Sequence, residues 1–204
     1  MSEEQAAPAP PPHFAEHELT VREIPAPLLV RISRRPASEP YFGRTGANRF
    51  DDPLRVYGVC YAAFDFQVAI AETVLHDSLA LPSGGYEVAY SQLSERYLIR
   101  FRPGILRLAR LHGSPLKAAG GDGRIAKIMP YGVPQLWSRA VFEHPAEVDG
   151  FVFMSRHLDD RRGVALFERA REKLARASAT NLLDEESSLA FAIQELSITV
   201  VGGE

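Results

Sequence analysis

Arg31, Arg49, Tyr61, Glu72 and Ser155 are the residues whose types and surroundings suit chemistry, and that chemistry is recognition of an anion beside a fixed carboxylate. Arg31 stands inside the apolar run Leu28-Leu29-Val30-Arg31-Ile32. An unpaired guanidinium buried there would cost on the order of several kcal/mol, so it either meets an acid or points into a cleft that binds an anion. Arg44 and Arg49 lie in Gly43-Arg44-Thr45-Gly46-Ala47-Asn48-Arg49. Glycines there let backbone N–H groups and guanidinium forks approach a phosphate, although the G-K-[ST] ending of a phosphate-binding P-loop is missing. Arg34 and Arg44 compete with Arg31 and Arg49 as anion ligands. Glu72 falls in the middle of an apolar helical pattern and shares its polar face with Asp65 and His76. A mid-helix acid in such surroundings is at a rim, in a salt bridge or in a cleft. Tyr61 ends the strand just before that helix. Ser155-Arg156-His157 follows the apolar run 150–154, but no G-x-S-x-G elbow is present to make a serine hydrolase. The glycine-rich GGDGR at 120–124 follows no clear strand and reads as a turn.

These residues need elements to hold them. Val56–Ala62 reads as a strand, and Asp65 as the N-cap of a helix running to about His76. Phe66, Ile70 and Val74 form the stripe of that helix. Tyr97–Phe101, Ile105–Leu111, Gly150–Met154 and Val164–Phe167 read as further strands, and Pro134–Glu143 as a helix with proline in its first turn. Residues 170–192 read as mostly helical, and 196–201 as a last strand. Strands and helices mix without regular alternation, which indicates α+β and not a doubly wound sheet. The folded body is placed at 19–204. Residues 1–18, with Ala-Ala-Pro-Ala-Pro-Pro-Pro, read as a disordered Pro/Ala-rich tail. That tail holds His13-Phe14-Ala15-Glu16-His17, an H-x-x-E-H pattern of metalloproteases. The pattern works only on a rigid helical face, so a solvated tail is the preferred reading.

Composition narrows the classes. The 204 residues are 46% hydrophobic and 24% charged, enough for one self-sufficient domain. Cys60 is the only cysteine, which excludes an intramolecular disulfide and a zinc–cysteine cluster. The 23 basic residues include only Lys117, Lys127 and Lys173 as lysines, against 26 acids. This balance suits a few oriented arginine contacts and argues against direct nucleic-acid binding. No stretch approaches the roughly 18 apolar residues of a membrane span, and the acidic N-terminus is no secretory signal, so a cytoplasmic location is expected.

Taken in order, Tyr61-Ala62-Ala63, Ala69-Ile70-Ala71-Glu72-Thr73, Asp149-Gly150-Phe151-Val152-Phe153-Met154-Ser155-Arg156-His157 and Ala165-Leu166-Phe167-Glu168-Arg169 resemble the RES-domain family. That family is named for its Arg, Glu and Ser, and Arg31, Arg49-Phe50, Tyr61, Glu72 and Ser155 occur in its order over roughly residues 28–170. The resemblance implies an ADP-ribosyltransferase-like fold, with a mixed split sheet and flanking helices around a nicotinamide cleft. It also implies a toxin paired with a separately encoded Xre-type antitoxin. The implied substrate is NAD, with no metal. Its nicotinamide–ribose bond would be hydrolysed or phosphorolysed, or its ADP-ribose transferred to a specific protein. A homodimer is compatible.

On that resemblance Glu72 would stabilise the oxocarbenium-like ribose formed as nicotinamide leaves. Arg31 and Arg49 would hold the pyrophosphate, Phe50 would join them as a cofactor-binding residue of the same loop, Tyr61 would stack on the nicotinamide or ribose, and Ser155 would hydrogen-bond the ribose or carboxamide. Where the family loop reads Gly-Gly-Arg-Trp/Phe-Asn, this chain has Ala47-Asn48-Arg49-Phe50-Asp51. The lost glycines and the acid at 51 keep open a different class, a NAD- or partner-binding module without turnover.

Overall fold

A computed structural model of the protein describes residues 7–203. In chain order the strands are β1 (Val21–Pro25), β2 (Val30–Ser33), β3 (Val59–Ala63), β4 (Tyr86–Ala89), β5 (Tyr97–Phe101), β6 (Ile105–Arg110), β7 (Gly150–Met154), β8 (Arg162–Phe167), β9 (Arg176–Asn181) and β10 (Ile198–Val201). The helices are α1 (Phe66–Thr73), α2 (Tyr90–Ser94), α3 (Gly113–Ala118), α4 (Gly132–Glu143) and α5 (Glu186–Glu195). Eight strands form one sheet in the order β1-β6-β7-β8-β3-β2-β5-β9, and β10 pairs with β4 in a second, two-stranded sheet. β6 and β7 run parallel, as do β10 and β4, while the other neighbours are antiparallel. The fold is α+β with a mixed sheet, as the unalternating order of elements implied.

The alternation of side chains across the central strands builds two faces. Phe151, Phe153, Ala165 and Phe167 point to one face and pack in a cluster with Phe50 and Trp137 of α4. Val152, Val164 and Leu166 point to the other and pack with Leu29, Ile99 and Leu108. On β3 the first face carries Val59 and Tyr61 in the Trp137 cluster and then Ala63 in another cluster built on α1 and α5. That face is therefore covered by two separate helical layers, with a gap between them over β3. The sheet itself opens at the same place. β2 pairs with β3 only at Val30↔Ala63, then continues against β5 over four positions. This opening is the split in the sheet, and it creates the cleft described below.

Two sequence expectations are corrected. Phe14 and Ala7 are buried, at 3% and 4% exposure, so the segment 7–18 is part of the folded body. Phe14 meets the Trp137 ring edge-on at 5.3 Å, the Trp137 Nε1–H donates to the Pro8 carbonyl at 2.7 Å, and His144 Nε2 donates to the His17 carbonyl at 2.9 Å. A run of prolines cannot continue a helix, but its carbonyls still accept hydrogen bonds, and one aromatic side chain anchors the run. The expectation for residues 1–6 lies outside the described residues. The stretch 170–192 is not mostly helical. It holds a short 3-10 segment (Glu168–Lys173), β9, another short 3-10 segment and then α5. β9 takes its hydrogen bonds from β5, a long-range pairing that overrides the helical propensity of its Ala and Arg residues. No described helix is long and apolar enough to cross a membrane.

Candidate functional site

A cavity of about 340 Å³ fills the opening between the two helical layers; Arg31, Arg49, Tyr61, Glu72, His76 and Phe153 are among the residues that line it. Its floor is β3 and β8. Gly163 of β8 is required there, because a Cβ would come within 2.6 Å of the Phe153 ring. Of the residues singled out in the sequence, Arg31, Arg49, Phe50, Tyr61 and Glu72 border this one space, and Ser155 stands directly behind it.

Glu72 is the next-to-last residue of α1, not a mid-helix one as its sequence position implied. The Asp65 carboxylate caps that helix by accepting from the Val68 N–H at 2.9 Å, as its sequence position implied. The Ser155 hydroxyl donates to Glu72 Oε1 at 2.6 Å and the Arg156 N–H donates to the same oxygen at 3.3 Å. Oε2 has no donor among the described residues. Ser155 Oγ in turn accepts from the N–H groups of His157 and Leu158. Ser155 is fully buried and is absent from the cavity wall. Its hydroxyl is engaged with the Glu72 carboxylate, whereas the resemblance implied a hydrogen bond to the ribose or carboxamide.

The loop at 45–52 is fixed from below. Asp51, fully buried, accepts from Tyr61 Oη at 3.0 Å, Thr45 Oγ1 at 2.9 Å, and both the N–H and Nδ2 of Asn48 at 3.2 and 3.0 Å. The Tyr61 hydroxyl accepts from the Phe50 N–H at 3.0 Å. Burial first, and then the adjacent Asp51, raises the Tyr61 pKa well above its ordinary value, so the phenol stays protonated. The Gln135 side chain of α4 donates to the carbonyls of Gly46 and Asn48, and the Ser138 hydroxyl to that of Phe50. The carboxylate of Asp51 is turned into the loop, and its lone pairs hold it. The Phe50 ring is turned into the core against Phe151 and Phe153, at centroid distances of 5.1 and 4.8 Å.

Arg49 is the electrostatic anomaly of the site. It is only 7% exposed, yet its Nη1 and Nη2 are buried without a hydrogen-bond partner among the described residues. Its close companion is the Tyr131 ring, 4.8 Å from the guanidinium carbon. Burial lowers its pKa and the nearby Arg156 adds to this, while Tyr131 and Glu72 favour the charged form. A cation held this way is prepared for an anion that the protein itself does not supply.

Arg31 has found its acid. Its Nε donates to both oxygens of the buried Glu39 at 3.0 Å, and Nη1 donates to the Tyr61 carbonyl at 2.7 Å in place of a β2–β3 ladder bond. Nη2 has no partner among the described residues. Arg44 pairs with Glu168 and Arg34 bonds Gln92, both outside the cavity wall. His13 and Glu16 are exposed and 3.4 Å apart on a single turn, with His17 engaged through its carbonyl, so the H-x-x-E-H run forms no helical face. GGDGR is a turn leading into the 3-10 segment Gly123–Ala126, capped by Asp122.

Sequence reasoning missed Tyr131, Arg156 as a structural clamp, and Glu39. Arg156 donates from Nε to His157 Nε2 at 3.0 Å, from Nη1 to Tyr131 Oη at 3.3 Å and from Nη2 to the His76 carbonyl at 3.0 Å. It ties the end of α1 to the start of α4 across the cavity rim. Its sequence signal was its place beside Ser155; nothing local pointed to Tyr131.

A family model for the RES domain matches residues 28–191. A curated relative, "Probable toxin y4kH" of Sinorhizobium fredii, is 37% identical over 65 residues, covering 32% of this chain and 50% of its own length. This chain thus spans about half of that relative. Among solved structures, a chain of the M. tuberculosis MbcT–MbcA toxin–antitoxin complex superposes with a TM-score of 0.59 at 13% identity. The match covers 90% of this chain and 94% of that one, and it shows that the two share a fold.

Proposed function

The chain belongs to the RES domain family, and from that premise we propose that it consumes NAD by cleaving the nicotinamide–ribose bond, as the toxin of a toxin–antitoxin pair. The observation that carries the reading is the unpartnered Arg49 guanidinium bordering the same cavity as the carboxylate of Glu72. NAD needs that combination: an anionic pyrophosphate to anchor, and a ribose carbon that becomes positive as the bond breaks.

Arg49 takes the pyrophosphate through its two free Nη groups, and Arg31 contributes its free Nη2 while Glu39 holds it in place. Planar guanidinium forks suit phosphate oxygens better than ammonium groups do. The Tyr61 ring forms the wall against which the nicotinamide ribose stacks. Glu72 presents its free oxygen to ribose C1′ and stabilises the oxocarbenium-like transition state. Ser155 and the Arg156 N–H grip the other oxygen, so the carboxylate is oriented before substrate arrives. Nicotinamide leaves with the electron pair of the broken bond and becomes neutral, so the departure needs no strong general acid. Water, phosphate or a protein side chain completes the transfer. The partner expected on this reading is a separately encoded antitoxin, because the structural neighbour belongs to a toxin–antitoxin complex.

The test is to incubate the pure protein with NAD, with and without inorganic phosphate, and identify the products by mass spectrometry. Nicotinamide release is expected, with the second product naming the acceptor. Glu72→Gln should fold and lose turnover by about 10²–10³, the usual cost of one preorganised electrostatic stabiliser. A folded wild type that neither binds nor cleaves NAD overturns the reading.

A further inference from the structure

Glu72, His76 and His157 each offer a ligand atom, and those atoms all lie within 4.8 Å of one another. Glu72 is the next-to-last residue of α1, His76 lies in the turn just beyond that helix, and His157 in the loop after β7. All three are half-buried, so the cluster is open to solvent on one side. Two of the three ligand positions are unclaimed. Glu72 keeps Oε2 free, because its polar contacts from Ser155 and Arg156 both fall on Oε1. The His76 ring makes no hydrogen bond among the described residues; Asp77 Oδ1 lies 3.9 Å from its Nε2. His157 accepts from Arg156 Nε at its Nε2 and has Nδ1 free.

We propose that these three side chains form a binding site for a borderline transition-metal cation, with Zn²⁺ as the representative ion. One carboxylate, two imidazoles and an open side for water make a familiar four-coordinate set for zinc. Hard cations do not fit. Mg²⁺ and Ca²⁺ need several oxygen ligands and are held by charge, and this site has one carboxylate with Arg156 in contact and Arg49 acting on His157 from nearby. Coordinate bonds from imidazole lone pairs can outweigh that repulsion for zinc. The cost of ligation is the Arg156–His157 hydrogen bond. Arg156 keeps its bonds to Tyr131 and to the His76 carbonyl. An ion so placed occupies the free oxygen of Glu72, and would therefore act as an inhibitor of the reaction proposed above.

The test needs no turnover. NAD-free, full-length protein is titrated with zinc chloride and, separately, with magnesium chloride by calorimetry. One equivalent of zinc and no magnesium is expected. His76→Gln and His157→Gln, each checked for folding by circular dichroism, should weaken zinc binding by about tenfold or more. Cobalt(II) in place of zinc should give the visible absorption of a four-coordinate site, lost in both variants. The rival ligands are in the H-x-x-E-H run, so a His13→Gln/His17→Gln double variant should bind zinc like the wild type. Absence of stoichiometric zinc, affinity that survives both single variants, or affinity lost with His13 and His17 overturns the proposal. A protein that binds zinc at this cluster but ignores NAD would instead fail only the proposed function.

Discussion

Replacing Arg49 by methionine should make the free protein more stable and its NAD binding much weaker. In the free protein the guanidinium is 7% exposed with both Nη atoms unpartnered, and such an orphaned polar group costs about 1–3 kcal/mol. The Tyr131 ring at 4.8 Å returns part of this, about 0.5–2 kcal/mol for a desolvated cation–π contact. The difference leaves a net penalty of about 1 kcal/mol. Methionine is shorter but follows the aliphatic stem of the arginine, carries a thioether that favours aromatic neighbours such as Tyr131, and removes the charge. For a chain of this size the melting temperature should then rise by about 2–4 °C. Binding moves the other way. Two charge-assisted hydrogen bonds to phosphate are worth about 1.5–3 kcal/mol each, so losing both weakens NAD by about 10²–10⁴. Differential scanning calorimetry beside an NAD titration reads both numbers from one preparation. A melting temperature that falls by several degrees would mean that Arg49 has a structural partner after all. An unchanged NAD affinity would remove it from the site.

Three further outcomes follow from the geometry. Phe14→Ala should cost about 3 kcal/mol or more in a urea unfolding curve, because a buried ring against Trp137 is lost; a shift under about 0.5 kcal/mol, the usual range for surface changes, would restore the mobile-tail reading. Ser155→Ala should lower kcat about tenfold to a hundredfold with little change in KM, since it loosens Glu72 without touching substrate, and equal damage to KM would argue against that indirect role. The third concerns pH. Burial, aided by Arg110 and Arg162, lowers the pKa of His112 from its ordinary 6.5, and its Nε2 is buried without a partner among the described residues. The unfolded chain therefore binds more protons between the two values, and the contribution of His112 to stability falls as pH drops below about 6.5. Stability compared at about pH 7.5 and about pH 5 should show a flatter slope for His112→Gln than for the wild type; identical slopes would refute the assignment.

What the sequence made legible, and what it did not, divides along one physical line. Runs whose burial is decided by their own side chains were readable: Gly150–Met154 and Tyr97–Phe101 are strands over the stretches expected, and Asp65 caps its helix. Segments whose state depends on a distant partner were not. β9 is a strand only because β5 offers its edge, and Phe14 is buried only because Trp137 waits 123 residues along the chain. The site shows the same division. The residue types of Arg31, Arg49, Tyr61 and Glu72 marked the cleft, but which charge is satisfied there is a long-range matter. Asp51, the acid expected to spoil the loop, instead holds it with four donors. Arg31, which its own strand left between acid and ligand, has its acid in Glu39. Arg49, in the same loop as Asp51, is left with none among the described residues. Local rules are obeyed throughout the loop except at that one guanidinium, and a fold this well satisfied around an unsatisfied cation concentrates its cost where a ligand would relieve it.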